Sequence, residues 1–330
     1  MNLDGFDEID NYRKYFMDVN FWQPYVAVIM EKVGLSCQRV LSGVAGSYPT
    51  FIVDDHYVVK FFGKLFNGGF SYLAELNANL LLNNRQGIPA PGLVTQGKLN
   101  EDGQGWPWPF LVFEYLNGIS IGQAWPYLSL CSKDEIAREL GRIVRCLHSI
   151  PLRSNGYFQP EWEMYRQFLE QQKSNCVANF QNNVEIPSHL LQQLESFLLP
   201  LDVLVNIEQA PHLIHADLTR DHLLGRIKDG NWVTLGIIDF GDAIVGNLFY
   251  ELVALHLDLF QCDKCLLKIF LDQYGVDKDL QEDFAIRAMN VTLLHQFGAG
   301  ILTDLFRRYP KLQQANTFVD LANELWGVEN

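Results

Sequence analysis

The sequence predicts an α+β chain in two lobes, a small β-rich N-terminal lobe and a larger, mostly helical C-terminal lobe. Three observations predict it. Up to residue 116 short apolar, β-rich runs are interrupted by two helical segments; from residue 117 helical periodicity dominates; and one strand-like island, residues 212–240, breaks the helices. Strands followed by helices indicate α+β architecture rather than an alternating parallel sheet. The expected division is 1–116 and 117–330.

In the first part, strands are expected at Thr50–Val53, at Tyr57–Phe62 after the turn Asp54-Asp55-His56, at Gly92–Gln96 and at Phe110–Tyr115. Asn100–Pro109 (NEDGQGWPWP) reads as the loop joining the last two. Helices over Phe21–Val33 and Ser71–Arg85 end at Gly34 and Gly87, where a C-cap favours glycine. In the second part Ser132-Lys133-Asp134-Glu135 reads as a capping box ahead of Ile136, Leu140, Ile143, Val144 and Leu147. Further helices are expected at Glu161–Asn182, Ser188–Val205, Leu248–Phe260, Cys265–Tyr274 and Leu280–Phe306.

The composition is globular, with 48% hydrophobic and 19% charged residues, and 39 acidic against 25 basic side chains give a formal charge of −14. That balance argues against nucleic acid or an anionic membrane as partner, since phosphate backbones require a basic footprint. It agrees in sign with a cationic small molecule, although many cytosolic proteins are simply acidic. The acidic start of the chain has no secretory pattern, and no run of about 18 apolar residues offers a membrane span. Six scattered cysteines form no disulfide framework. A reduced, cytoplasmic setting is expected, and no obligate protein partner is evident. Cys262 and Cys265 make one CxxC with only His256 close by, where a structural zinc normally needs a second pair of ligands, so metal binding there is the lesser reading.

The chemistry-bearing residues cluster around the island. It holds His215-Ala-Asp217, Asp221-His222 and, after an apolar stretch, Asp239-Phe-Gly-Asp242. Each stretch delivers a carboxylate to a loop, and a turn near Asn231 would fold the two stretches together as a hairpin. Two carboxylates in one cleft repel unless a cation lies between them, and magnesium is the usual solution. Phosphoryl transfer needs this pairing, one carboxylate to orient the attacking hydroxyl and another to hold the metal. The plainer alternative, aspartates in turns, suits either motif alone but not both in this order. Upstream, Lys60 stands among apolar neighbours and needs an anionic partner, which Glu75 could supply while the lysine reaches nucleotide phosphates; a solvated strand edge is its plain alternative. Ser42, Gly43, Gly46 and Ser47 are small enough for backbone N–H groups to approach phosphate oxygens, although the segment matches neither GxGxxG nor Walker A. Phe113, Glu114 and Tyr115 end an apolar strand where an adenine could meet backbone groups. His148, His256 and His295 fall on apolar helical faces and read as core histidines. Trp106 and Trp108, in a Pro-rich loop, are the aromatics expected to border the nucleotide.

Taken together, Lys60, Glu75, His215-Ala-Asp217 with His222, and Asp239-Phe-Gly resemble the aminoglycoside phosphotransferase family, of protein-kinase-like bilobal fold. The stretches FWQPYVAVIMEKVGL (21–35), VVKFFG (58–63), WPWPFLVFEY (106–115), LGRIVRCLHSIPL (140–152), HADLTRDH (215–222), GIIDFGDAIVGNLFYELVALHL (236–257) and LWG (325–327) resemble its hygromycin B kinases of the 7''-O type. The resemblance implies an N-terminal nucleotide-binding lobe and a C-terminal lobe with catalytic and metal loops and the acceptor site. It implies that Asp217 is the catalytic base, Asp239 a magnesium ligand, Lys60 the phosphate-holding lysine and Glu75 its orienting partner, with ATP or GTP as phosphoryl donor. Glu251 is implied as structural support, and Asp242 as a contact to a substrate amine or a second-sphere residue. One position departs from the family: where it carries a magnesium-binding asparagine, this chain has His222, and imidazole is a poor ligand for a hard cation. Asp221 or Asp242 then takes that place, or one metal suffices, or manganese is used, or catalysis is impaired.

Two other classes compete. Gly118-Ile-Ser120-Ile-Gly122 matches the GxSxG nucleophile elbow of serine hydrolases, but the chain beyond it is helical where that fold requires alternating strands. A non-catalytic nucleotide or antibiotic binder is the third reading.

Overall fold

The computed structural model describes the chain except residues 1, 2, 4, 5, 7, 45, 84, 101–104, 182–184, 277–282, 329 and 330. It divides into two compact units. One comprises Met1–Ile119, Leu223–Arg226 and Val233–Ala243; the other comprises Ser120–His222, Ile227–Trp232 and Ile244–Asn330.

The first unit begins with α1 (Ile9–Tyr15), α2 (Val19–Lys32), β1 (Val40–Ser42), β2 (Thr50–Val53) and β3 (Tyr57–Phe61), and continues with α3 (Gly68–Leu82), β4 (Leu93–Lys98) and β5 (Pro109–Glu114). The strands form one antiparallel sheet in the order β1-β2-β3-β5-β4. Asp18 starts α2 by accepting the Asn20 and Phe21 N–H groups, which would otherwise lack partners. Because side chains alternate across a strand, Val59 and Phe61 of β3 join Val112 in a core with Trp22, Val26 and Ile29 of α2, where Trp22 stacks on Phe61 at 4.6 Å. Lys60, between them, faces the other way, toward α3. Phe62, Leu111 and Phe113 pack with Tyr72 and Leu76 of α3 in a second cluster.

The two loop tryptophans correct an expectation. Trp108 is buried edge-on against Phe6 and Trp22, and the Trp106 indole N–H donates to the Phe62 carbonyl at 2.8 Å. Trp108 thus serves packing, because a buried indole gains from apolar contact, while Trp106 is partly buried against the same core. Residues 101–104 of the expected loop lie outside the described residues.

Beyond β5 follow β6 (Ile119–Ser120), α4 (Ile121–Ala124), α5 (Leu130–His148) and α6 (Glu163–Gln181), then three single-turn helices, α7 (Ser188–Leu191), α8 (Leu194–Phe197) and α9 (Leu201–Leu204). Strand β7 (His212–Ile214) precedes β8 (Leu223–Lys228), β9 (Asn231–Ile237) and β10 (Ile244–Gly246), and β10 returns to pair antiparallel with β7. The chain ends with α10 (Leu248–Ala254), continued as a π-turn over Leu255–Leu259, then α11 (Lys264–Tyr274), α12 (Phe284–Leu294), α13 (Gly298–Arg308) and α14 (Phe318–Trp326). Helices α5 and α11 approach so closely at Gly141 that a Cβ there would lie 2.7 Å from the Phe270 carbonyl oxygen. No helix among the described residues is long and apolar enough to cross a membrane.

Three helix expectations are revised. Helix α5 starts one turn earlier than its capping-box pattern suggested, since the Ser129 hydroxyl accepts the Ser132 N–H. The expected helix 188–205 is broken into three turns, with Pro200 opening the last and the Leu199 N–H donating to the Asn290 side chain at 2.7 Å. The expected helix 280–306 turns sharply at His295, where Gly298 sits so near the Thr292 carbonyl that a Cβ would clash at 2.1 Å; residues 280–282 lie outside the described residues.

Candidate active site

In the first unit, α3 presents Ser71, Glu75 and Asn79, all buried, at intervals of four residues along one face. Lys60 of β3 reaches this stripe. Its Nζ donates to Glu75 Oε2 at 2.7 Å and to Asp239 Oδ1 at 2.8 Å. The Asn79 amide donates to the Glu75 carbonyl at 2.8 Å, and the Tyr48 hydroxyl donates to the Phe66 carbonyl at 2.6 Å and lies 2.9 Å from Ser71 Oγ. Burial works against the charge on Lys60, but the Asp239 and Glu75 carboxylates outweigh it and hold its pKa above the ordinary lysine value. Burial pushes the Tyr48 phenol up to about 12.

Asp239 is held at φ 64°, ψ 63°, a left-handed conformation that aspartate tolerates better than most residues. The 3-10 turn Phe240–Asp242 follows, and a Cβ on Gly241 would lie 3.2 Å from Asp239 Oδ1 and 3.4 Å from Ser71 Cβ, so the turn rests directly on α3. The structure therefore brings Lys60, Glu75 and Asp239 together, with Asp242 close enough to act electrostatically on Tyr48.

The small-residue segment is the connection between β1 and β2. The Gly43 N–H donates to the Thr50 carbonyl at 2.8 Å, closing the hairpin. The Ser47 carbonyl accepts from the Tyr12 hydroxyl at 2.6 Å, Ser42 is at the end of β1, and nothing would lie within 4 Å of a Cβ on Gly46. Residue 45 lies outside the described residues. At the end of β5, Phe113 is buried in the second cluster. The Glu114 and Tyr115 N–H groups donate to the Gly92 and His56 carbonyls at 2.9 and 2.8 Å. Those two donors are thus engaged within the unit.

In the second unit, Asp217 follows β7 on a tightly braced segment. Ala216 takes the left-handed φ of 67°. The His215 N–H donates to Glu251 Oε2 at 2.6 Å, and the Arg220 N–H and guanidinium donate to Asp258 at 2.9 and 3.1 Å. His222 Nδ1 lies 2.6 Å from the Asp217 carbonyl oxygen, which can only accept, so that nitrogen carries the proton. Its distance to Asp217 Oδ2 is 3.5 Å. One ring nitrogen of His222 thus braces the loop. Asp221 is exposed, and its carboxylate accepts from the Ser120 hydroxyl at 3.4 Å.

Sequence reasoning gave Glu251 a supporting role but missed the group behind it. Glu251 is fully buried, with His148 Nε2 at 3.7 Å from its Oε2. Burial alone would raise its pKa, but His148 and His215 beside it hold the carboxyl below the usual range. Asp258 and His295 also escaped notice as braces. His295 donates through Nε2 to the Ala216 carbonyl at 3.2 Å and accepts the Phe297 N–H at Nδ1. Burial pulls its imidazole down to about 4, so it is neutral near pH 7. No local signal marks these partners, because they lie 36 to 79 positions from the groups they hold. His295 borders a cavity of about 320 Å³ whose described lining residues include Gln172, Asn179, Phe180 and Gln296 and no charged side chain.

The alternative chemistries find no support. Ser120 is the N-cap of α4, forming a capping box with Gln123. The flanking glycines serve packing, since a Cβ on Gly118 would lie 2.5 Å from the Gly225 carbonyl oxygen and one on Gly122 2.9 Å from the Arg220 side chain. The Cys262 thiol contacts the Leu257 carbonyl, and burial raises its pKa to about 12. His256 Nε2 is engaged by the Leu325 carbonyl. Among the described residues no three His, Cys, Asp or Glu side chains cluster as a metal site.

A kinase-like α+β fold with a buried lysine shared between two carboxylates defines a phosphotransferase. The chain belongs to the APH phosphotransferase enzyme family, whose model matches residues 39–284. Among solved structures it is similar to the GDP complex of an aminoglycoside 2'-phosphotransferase-IIIa point mutant, with 23% identity, coverage of 92% of this chain and 96% of that one, and a TM-score of 0.64. It is also similar to the GDP and kanamycin complex of APH(2")-IIIa, with 20% identity, 91% and 97% coverage and a TM-score of 0.64. For a microcompartment-associated aminopropanol kinase the identity is 15%, the coverage 91% and 99%, and the TM-score 0.54. A curated relative, the lysine-specific demethylase JMJ21 of Arabidopsis thaliana, is 23% identical over 309 residues, and the match takes in 77% of this chain. The chain spans 32% of the length of that relative.

Proposed function

We propose that this phosphotransferase moves the γ-phosphoryl group of ATP or GTP to a hydroxyl of a small molecule. The observation that carries the reading is the Lys60 ammonium held between Glu75 and Asp239. A lysine fixed in this way is oriented to neutralise nucleotide phosphates. Residues 1–116 are read as the nucleotide-binding lobe, with the turn bearing Ser42, Gly43, Gly46 and Ser47 on the phosphates and Phe113–Tyr115 beside the base. Residues 117–330 are read as the catalytic and acceptor lobe.

Asp217 orients the acceptor hydroxyl and takes its proton as the hydroxyl oxygen bonds to the γ-phosphorus. The bond from that phosphorus to the bridging oxygen breaks, and the nucleoside diphosphate leaves with the electron pair. Asp239 offers the hard oxygen donor that magnesium prefers, whereas the engaged Nδ1 leaves His222 only Nε2 to offer a metal, more suited to manganese. Bound there, the cation would neutralise charge on the transferring phosphoryl group.

The resemblance points to an aminocyclitol acceptor of the hygromycin B type, with Asp221 and Asp242 as candidates to meet its ammonium groups, and the −14 charge agrees in sign. A second reading, a sugar or amino alcohol metabolite, is favoured by one observation: among the described residues the cavity beside His295 offers amides and no carboxylate. An ADP-release screen over aminoglycosides, aminocyclitols, amino alcohols and sugars separates the two. Asp217→Asn should abolish turnover with the acceptor found while leaving nucleotide-dependent thermal stabilisation in place. Stabilisation by nucleotide with no ADP formed from any acceptor would instead make the chain a binding protein.

A further inference from the structure

A second cavity of about 420 Å³ lies within the second unit, lined by residues from α5, α9, β7, α10, α11 and α12. Its size suits a small metabolite. Its character is cationic and aromatic: Arg145, Arg287, His212, Trp162 and Tyr274 contribute, and none of the described lining residues is acidic. In a chain of net charge −14 a pocket with two arginines and no carboxylate among its described lining residues is a distinct electrostatic environment.

Among the described residues the two arginines form no ion pair. Arg145 is exposed at the end of α5, and its guanidinium has no hydrogen bond or ion pair among the described residues. Its Nη1 would lie 3.9 Å from a Cβ on Gly275, which places it at the end of α11. Arg287 donates from Nη2 to the Val203 carbonyl at 3.0 Å and rests 4.9 Å from the Phe249 ring centroid. Its Nε is buried without a partner. A buried guanidinium N–H left unmatched is costly and is ordinarily satisfied by an acceptor. Asp283, one turn earlier on the same helix, attracts Arg287 but is exposed and does not line the cavity. His212, which burial pulls down to about 4, adds a neutral ring rather than a third charge.

We infer that this cavity is a binding site for a small anion, a carboxylate or phosphate attached to a planar apolar group, gripped by Arg145 and Arg287 and flanked by Trp162 and Tyr274. Guanidinium groups suit these anions because their forked N–H donors match two oxygens at once. The site is separate from the groups assigned to phosphoryl transfer. It borders their support, since the Tyr274 hydroxyl meets His148 Nδ1 at 2.9 Å and His212 stacks on His148 at 5.1 Å, behind Glu251.

The test is a ligand-observed NMR titration of the full chain with phenylphosphonate, using benzamide as the uncharged control. Saturable binding of phenylphosphonate, with benzamide inert and affinity reduced about tenfold or more by Arg145→Glu, supports the site. Arg145 is exposed and its guanidinium has no polar partner among the described residues, so this variant chiefly changes the charge, and Arg287→Gln should weaken binding in the same sense. Absence of saturable binding overturns the proposal. Undiminished affinity in Arg145→Glu, or equal binding of benzamide, overturns it as well.

Discussion

Lys60 and Asp239 stand 179 positions apart in the chain and form an ion pair of 2.8 Å. Glu75, nearly inaccessible at 3% exposure, takes the same ammonium at 2.7 Å. Lys60→Met should therefore destabilise the protein as well as stop turnover, because it leaves a buried carboxylate without its cation, a loss of about 3 kcal/mol. Glu75→Gln should cost less, since an amide oxygen still accepts from the ammonium. Urea unfolding of both variants checks the order, and equal stability of Lys60→Met and the unaltered protein would refute the buried pair.

His222 tests whether a ring nitrogen or a metal is at stake. An asparagine amide can donate to the Asp217 carbonyl as Nδ1 does at 2.6 Å. His222→Asn should keep thermal stability and preserve or raise magnesium-supported activity. His222→Ala should lose about 1 kcal/mol with the hydrogen bond, along with a fall in kcat. A collapse of activity in the asparagine variant would show that the imidazole itself is required.

Ser120→Ala should leave turnover unchanged and cost about 1 kcal/mol through loss of the α4 cap. Labelling of Ser120 by a fluorophosphonate, with activity lost in step, would restore the hydrolase reading.

Acid should weaken the fold before any carboxylate titrates widely. Burial pulls His256 and His295 from 6.5 down to about 4. Between those values the unfolded chain binds protons that the folded protein does not, so stability falls as the pH drops through that window. The loss is at most about 1.4 kcal/mol per pH unit for each ring. Denaturant midpoints at pH 7 and pH 5 should differ, and the difference should shrink in His256→Gln, which can still donate to the Leu325 carbonyl. An undiminished pH response in that variant would remove His256 as a source.

Much of this was legible in the residues. The apolar runs around Lys60 and before Asp239 carry strand character in the sequence itself, and Phe21 to Val33 reads as a helix from its periodicity and the following glycine. Three-residue strands such as Val40–Ser42 and Ile244–Gly246 are too short to show a period of two, so they were invisible. Ser129 and Ser132 both satisfy the rule for an N-cap, and only the geometry of the preceding turn chooses between them. The break at His295 was hidden because both flanking helices are apolar. The braces on Asp217 could not be read at all: Glu251, Asp258 and His295 act through tertiary contact, and their types alone do not distinguish them from other buried acids and histidines.

The interleaving of the chain has a practical side. A truncation after residue 119 would deprive Lys60 of one of its two carboxylates and would strip the Pro89 carbonyl of the Ile237 N–H that reaches it at 2.8 Å. Gly236 would vanish from under Leu116, whose Cδ1 lies 2.6 Å from where a Cβ there would stand. Anyone wishing to express the β-rich half by itself should therefore graft residues 223–243 back onto it through a short tether, since the gene's linear halves are not the molecule's.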